Sequence, residues 1–111
     1  MTTIKSYTDL EQSKKLSETL PLDSADMWYS IVDNEAFICL EHHNEYEQIP
    51  CWSLTALFKL LPKSAQLEKG NVTELYRVTL PVELEASDWY ANPIDACYEL
   101  ILKLNELNLK L

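Results

Sequence analysis

An α+β fold is predicted for this chain. The expected architecture is a small antiparallel sheet of three to four strands, packed against a C-terminal helix and a short buried middle helix. A surface helix precedes them. Three observations carry the prediction. Two β-rich runs flank a two-residue Asp33-Asn34 loop, a strictly alternating stretch begins at Tyr76, and apolar residues recur at helical spacing after Asn92-Pro93. The chain has 111 residues with no repeat, low-complexity tract or linker. Residues 1–111 are therefore read as a single domain.

The elements follow in order. Asp9 to about Thr19 is read as the first helix, with Thr8 and Glu11 spaced as a capping box and Pro21 as the stop. Its apolar face is thin (Leu10, Leu16, Leu20), which suits the surface. Met27 to Val32 and Glu35 to Leu40 read as a hairpin, because Asp33 and Asn34 both tolerate the positive φ of a type I′ turn. Glu41 to Gln48 is polar and acidic and reads as a loop.

Ser53 is the expected N-cap of the middle helix and Pro62 its stop. Trp52 and Leu57 are spaced as a hydrophobic staple. Leu54, Ala56, Leu57, Phe58, Leu60 and Leu61 cover nearly the whole circumference, as in a buried helix. Lys69-Gly70-Asn71 is a turn. Beyond it, Tyr76, Val78, Leu80, Val82 and Leu84 face one way along a strand. Pro81 cannot donate to a ladder, so this strand lies at an edge or breaks there.

In the last helix Asn92 is the cap, Pro93 the first helical residue and Asp95 part of the first turn. Ile94, Cys97, Tyr98, Ile101 and Leu104 form one stripe. Leu100, Leu104, Leu107 and Leu111 form another. The helix is expected to reach about residue 108. Its double stripe covers the sheet, or seats a second copy of the chain.

Composition excludes several classes of function. One glycine, Gly70, cannot supply a glycine-rich phosphate cradle. Eighteen acidic against nine basic residues give a net charge of −9, and Arg77 is the one arginine. That balance opposes direct binding of nucleic acid, whose affinity comes largely from cations on phosphates. No apolar run is long enough to span a membrane. The first residues carry no signal-peptide pattern, and three cysteines (Cys39, Cys51, Cys97) suggest reduced thiols. A cytoplasmic protein is expected.

Ser24-Ala25-Asp26-Met27, Ile49-Pro50-Cys51-Trp52-Ser53-Leu54-Thr55-Ala56-Leu57 with Leu61-Pro62, and Asn92-Pro93-Ile94-Asp95-Ala96-Cys97 resemble one group of proteins. These are small proteins without an established activity that recur in gut bacteria, their phages and mobile elements. The resemblance spans about residues 10 to 107. It implies a phage or mobile-element setting and a shared fold, and it carries over no catalytic or binding residue.

Three constellations hold candidate chemistry. Cys39 and His42 have a zinc-like two-residue gap, and Cys51 could complete a set of three soft ligands. Cys51 with His42 or His43 is the candidate nucleophile–base pair for a cysteine enzyme. The bland alternative is two packed cysteines and a polar loop, so no cofactor is assigned.

The third constellation is acidic. Between Leu16 and Phe58 there is no Lys or Arg but eight acids, among them Glu41, Glu45 and Glu47. Glu83 and Glu85 lie in a second cation-free stretch. Solubility alone accounts for such charge. A sharper reading is a mimic of nucleic-acid phosphate that occupies a host enzyme's basic groove. Mimicry requires the hairpin, the Glu41–Glu47 loop and the Glu83–Glu85 strand to share one face. Trp28 and Trp89 add candidate contact residues, since each has a tyrosine neighbour facing the other way.

The functional expectation is a non-catalytic protein-interaction module associated with phages or mobile elements. Its partner is a protein, with no direct nucleic-acid or membrane contact, and a homo-oligomer is also compatible. The acidic mimic is the alternative, and a small zinc- or cysteine-dependent enzyme the second alternative.

Overall fold

The computed structural model describes residues 6–42, 47–82 and 84–106. The chain is α+β, with three α-helices and six strands among these residues. The strands form two antiparallel sheets of three, not the one sheet expected. Helix α1 (Leu10–Ser17) comes first, and a single 3-10 turn at Leu22–Ser24 leads on from it. The first sheet holds β1 (Met27–Val32), β2 (Glu35–Cys39) and β3 (Glu47–Cys51) in the order β2-β1-β3. Helix α2 (Leu54–Leu60) follows. The second sheet holds β4 (Gln66–Lys69), β5 (Tyr76–Leu80) and β6 (Glu85–Ala86) in the order β4-β5-β6. Helix α3 (Pro93–Glu106) closes the fold.

The β1–β2 hairpin forms as its turn chemistry predicts. Asp33 and Asn34 have φ of 51° and 65°, the left-handed pair a type I′ turn needs. The segment read as a loop from Glu41 to Gln48 departs from expectation at its last two residues, Glu47 and Gln48, which belong to β3. Residues 47–51 pair with β1 instead, Met27 opposite Cys51 and Tyr29 opposite Ile49. Pro50 is tolerated because β3 is an edge strand.

The cap of α1 lies one residue later than expected. Asp9 accepts from the Gln12 backbone N–H at 2.8 Å, and Gln12 Oε1 accepts from the Asp9 N–H at 3.1 Å. Thr8 is fully buried and its hydroxyl is used elsewhere. The helix also contributes more to the interior than a surface helix would, through Gln12, Ser13 and Leu16. In α2, Ser53 caps by accepting from the Ala56 N–H at 3.2 Å. Ala56 and Leu57 are buried, Leu54, Phe58 and Leu60 are half-buried against the core, and Thr55 and Lys59 are exposed.

The strand at Tyr76 breaks at Pro81, one of the two outcomes expected of that residue. Val78 and Leu80 are fully buried, but Val82 and Leu84 lie in the following turn and are exposed. Leu84 has φ of 58°, so the alternation of the strand cannot continue through it. Asn92 caps α3 as predicted, accepting from the Asp95 N–H at 2.9 Å. As far as Leu104, both predicted stripes are buried except at Tyr98, which is half-buried against the core. Leu107 and Leu111, and the expected extension to residue 108, lie outside the described residues.

The core sits between α1, α2, β5 and α3. Leu16, Trp52, Leu57, Val78, Leu80, Ile94, Leu100 and Ile101 are fully buried in one cluster. No residue of β1, β2 or β3 belongs to that cluster.

Candidate functional site

The register of the first sheet decides which of the predicted site residues meet. Residues opposite one another across antiparallel strands point to the same face, and neighbours along a strand alternate. Trp28 pairs with Cys39, whereas Met27 pairs with Cys51. Cys39 and Cys51 therefore point to opposite faces. They also sit on strands separated by β1. The proposed set of Cys39, His42 and Cys51 is not brought together. Among the described residues no group of three or more His, Cys, Asp and Glu side chains is placed to hold a metal ion.

One face of the sheet docks on the chain ahead of α1. Tyr29 donates its hydroxyl to the Thr8 carbonyl at 2.9 Å and meets Tyr7 edge-on at 6.3 Å between ring centroids. The Cys51 thiol donates to the same carbonyl at 3.4 Å. The Thr8 hydroxyl bonds Ser13 Oγ at 2.7 Å and accepts the Trp52 N–H at 3.1 Å. This network explains why Thr8 is not the helix cap. It also separates Cys51 from His42. Cys51 is fully buried, burial pushes its thiol pKa up, and His42 lies toward the other face. A nucleophilic thiolate needs the reverse, a lowered pKa and a base at hand. His43 lies outside the described residues. Cys97 is buried on the inward face of α3, and its thiol is pushed up to about 12 by burial.

The opposite face of the sheet is built differently. His42 stacks on Trp28, with centroids 4.3 Å apart and rings 17° from parallel. Gln48 donates to the Ser30 hydroxyl at 2.8 Å and to the Glu41 carbonyl at 3.3 Å. The chain after β2 thus folds back over this face and buries Ser30. Towards the β2 edge the cover ends. Phe37 is 50% exposed, and Leu40, just past the strand, is 73% exposed. Ala36 is exposed as well. The sequence did not single out Phe37 or Leu40. The available signal was that Glu35 to Leu40 is apolar at nearly every position, on a run with no Lys or Pro.

The described acidic residues of the first sheet do not gather on one face. Glu35 pairs with Val32 and shares the Trp28 face, while Glu47 pairs with Ile31 and shares the Tyr29 face. Glu41 follows the hairpin, and Glu85 belongs to the other sheet, where Lys103 meets it at 3.0 Å. Glu45 and Glu83 lie outside the described residues. Of the tryptophans, Trp28 is half-buried under His42 and Trp89 is exposed. The Arg77 guanidinium lies 4.6 Å over the Trp89 ring and 2.6 Å from Glu68. With Gly70 and Asn71 these three line an open cleft of about 520 Å³. The arginine there is already neutralised by Glu68.

No helix among the described residues is long and apolar enough to cross a membrane. Comparison with protein-family models, curated proteins and solved structures finds no match to this chain.

Proposed function

We propose that this chain is a non-catalytic protein-interaction module whose contact surface is the first sheet. One observation carries the reading. The sheet contributes nothing to the buried cluster, yet it exposes Phe37 and is followed by exposed Leu40. Aromatic side chains such as Phe37 are enriched at protein contact surfaces. The cysteines support a non-catalytic reading, since Cys51 and Cys97 are fully buried. The resemblance to proteins of gut bacteria, their phages and mobile elements supports a setting of that kind. The odd, unpaired cysteine count supports a cytoplasmic one.

The test is a comparative capture from host lysate, read by mass spectrometry at low and high salt. The native chain, Phe37→Ser with Leu40→Ser, and a Val72→Ser control on a distant exposed residue serve as baits. A protein held by the native chain and the control, and lost with the double variant, is the expected result. Equal recovery by all three baits overturns the reading. A nucleic-acid enzyme held equally by all three and released at high salt favours the acidic mimic instead.

A further inference from the structure

The outer edge of β2 differs from every other sheet edge among the described residues. The β3 edge carries Pro50, β4 carries Glu68 and Lys69, and β6 is two residues long. Proline, charge and shortness are the usual devices that keep an edge from pairing. β2 has five residues, Glu35-Ala36-Phe37-Ile38-Cys39, with no proline and one charge at its end. Its outward backbone groups can be assigned. The residues flanking a two-residue hairpin loop form a hydrogen-bonded pair, and such pairs alternate along the ladder. Val32–Glu35 is the flanking pair, so Ser30–Phe37 and Trp28–Cys39 are bonded pairs too. Ala36 and Ile38 then turn their N–H and C=O groups outward.

We infer that the β2 edge accepts an extended, cationic segment of a partner protein as a fourth strand. This rests on the interaction reading above and names its mode and partner chemistry. Main-chain bonds to Ala36 and Ile38 supply the docking, and Phe37 meets an apolar side chain of the added strand. Charge selects the occupant. Residues 16–58 contain no Lys or Arg, and Asp33 and Glu35 stand at the start of the edge. A second copy pairing antiparallel about Phe37 would set Cys39 opposite Glu35 and bring no cation to it. A strand carrying Lys or Arg at that position meets Glu35 directly, and opposite charges across strands are favourable.

The test uses the full chain against a bead-displayed library of random peptides of roughly nine residues, long enough to overrun the edge. Enriched peptides are expected to carry Lys or Arg two residues from an apolar residue, the spacing of Glu35 and Phe37 along the edge, and to protect the Ala36 and Ile38 amides from hydrogen exchange. Ala36→Pro removes an outward N–H while leaving the β1 ladder intact, since edge strands tolerate proline. It should weaken binding about tenfold, the loss of one main-chain hydrogen bond. Glu35→Gln keeps the fold and should remove much of the salt dependence between about 0.05 M and about 0.5 M. Peptides without cations, unchanged binding by Ala36→Pro, or sedimentation as a dimer through this edge would each overturn the inference. If the edge tests fail while Phe37→Ser with Leu40→Ser still loses a captured protein, the module reading stands and strand addition falls.

Discussion

The two sheets use similar lengths of chain to opposite ends. The second sheet packs Val78 and Leu80 of its central strand into the helical core, where both are fully buried. The first sheet has a central strand just as rich in apolar residues, yet Ser30 is its one buried side chain. It meets the body of the protein through hydrogen bonds of Tyr29 and Cys51 to the Thr8 carbonyl, through the Tyr7–Tyr29 ring contact and through buried Pro50 and Cys51 of β3. Burial of apolar area dominates stability, so the second sheet and the helices should carry the fold. The first sheet is then free to keep an apolar edge that a core strand would have to cover.

The largest expected effect tests that division. Leu57→Ala should cost about 2–5 kcal/mol, because it opens a cavity in a fully buried cluster. Phe37→Ser should cost well under about 1 kcal/mol, as exposed substitutions usually do. Urea unfolding of both variants measures this, and similar losses would break the comparison.

A smaller effect sharpens the junction between the two regions. Thr8→Val keeps the shape but leaves the Trp52 N–H without its acceptor. About 1–3 kcal/mol of destabilisation is expected for such a buried donor, read as a lower melting temperature. An unchanged melting temperature would show that the sheet is held some other way.

The smallest effect is a pH dependence. Burial is the main cause that pushes the Tyr29 phenol from its ordinary 10 up to about 12, with Cys51 adding to it. The folded state therefore keeps a proton that the unfolded chain releases first. Its stabilising contribution is complete below pH 10 and is lost as pH rises from 10 to 12. Tyr29→Phe should cost roughly 1 kcal/mol at neutral pH and make the alkaline decline in that window shallower. Melting temperature against pH, for both chains, gives the answer.

Much of the fold was legible because its signals are local. A positive-φ Asp-Asn pair, a serine ahead of an apolar helix, and an Asn-Pro start each satisfy backbone groups within a few residues of themselves. The hairpin, α2 and the start of α3 appear where these signals stand. The candidate site was less legible. Cys39, His42 and Cys51 are near in sequence, but nearness along a chain says nothing of which face a strand turns to a neighbour.

By itself, then, the sequence determined the α+β class, the turn at Asp33-Asn34, the two clear helix caps and the cation-free stretch around the hairpin. Tertiary structure alone decided that residues 47–51 pair with β1, that the strands divide into two sheets, and that Thr8 bonds Trp52 instead of capping α1. It also decided that Cys39 and Cys51 part and that the β2 edge stays uncovered by any described strand. The physical reason is common to all of these. Caps and turns are closed by partners a few residues away. Register, face and exposure are set by which distant segment supplies the hydrogen bonds and takes up the apolar surface.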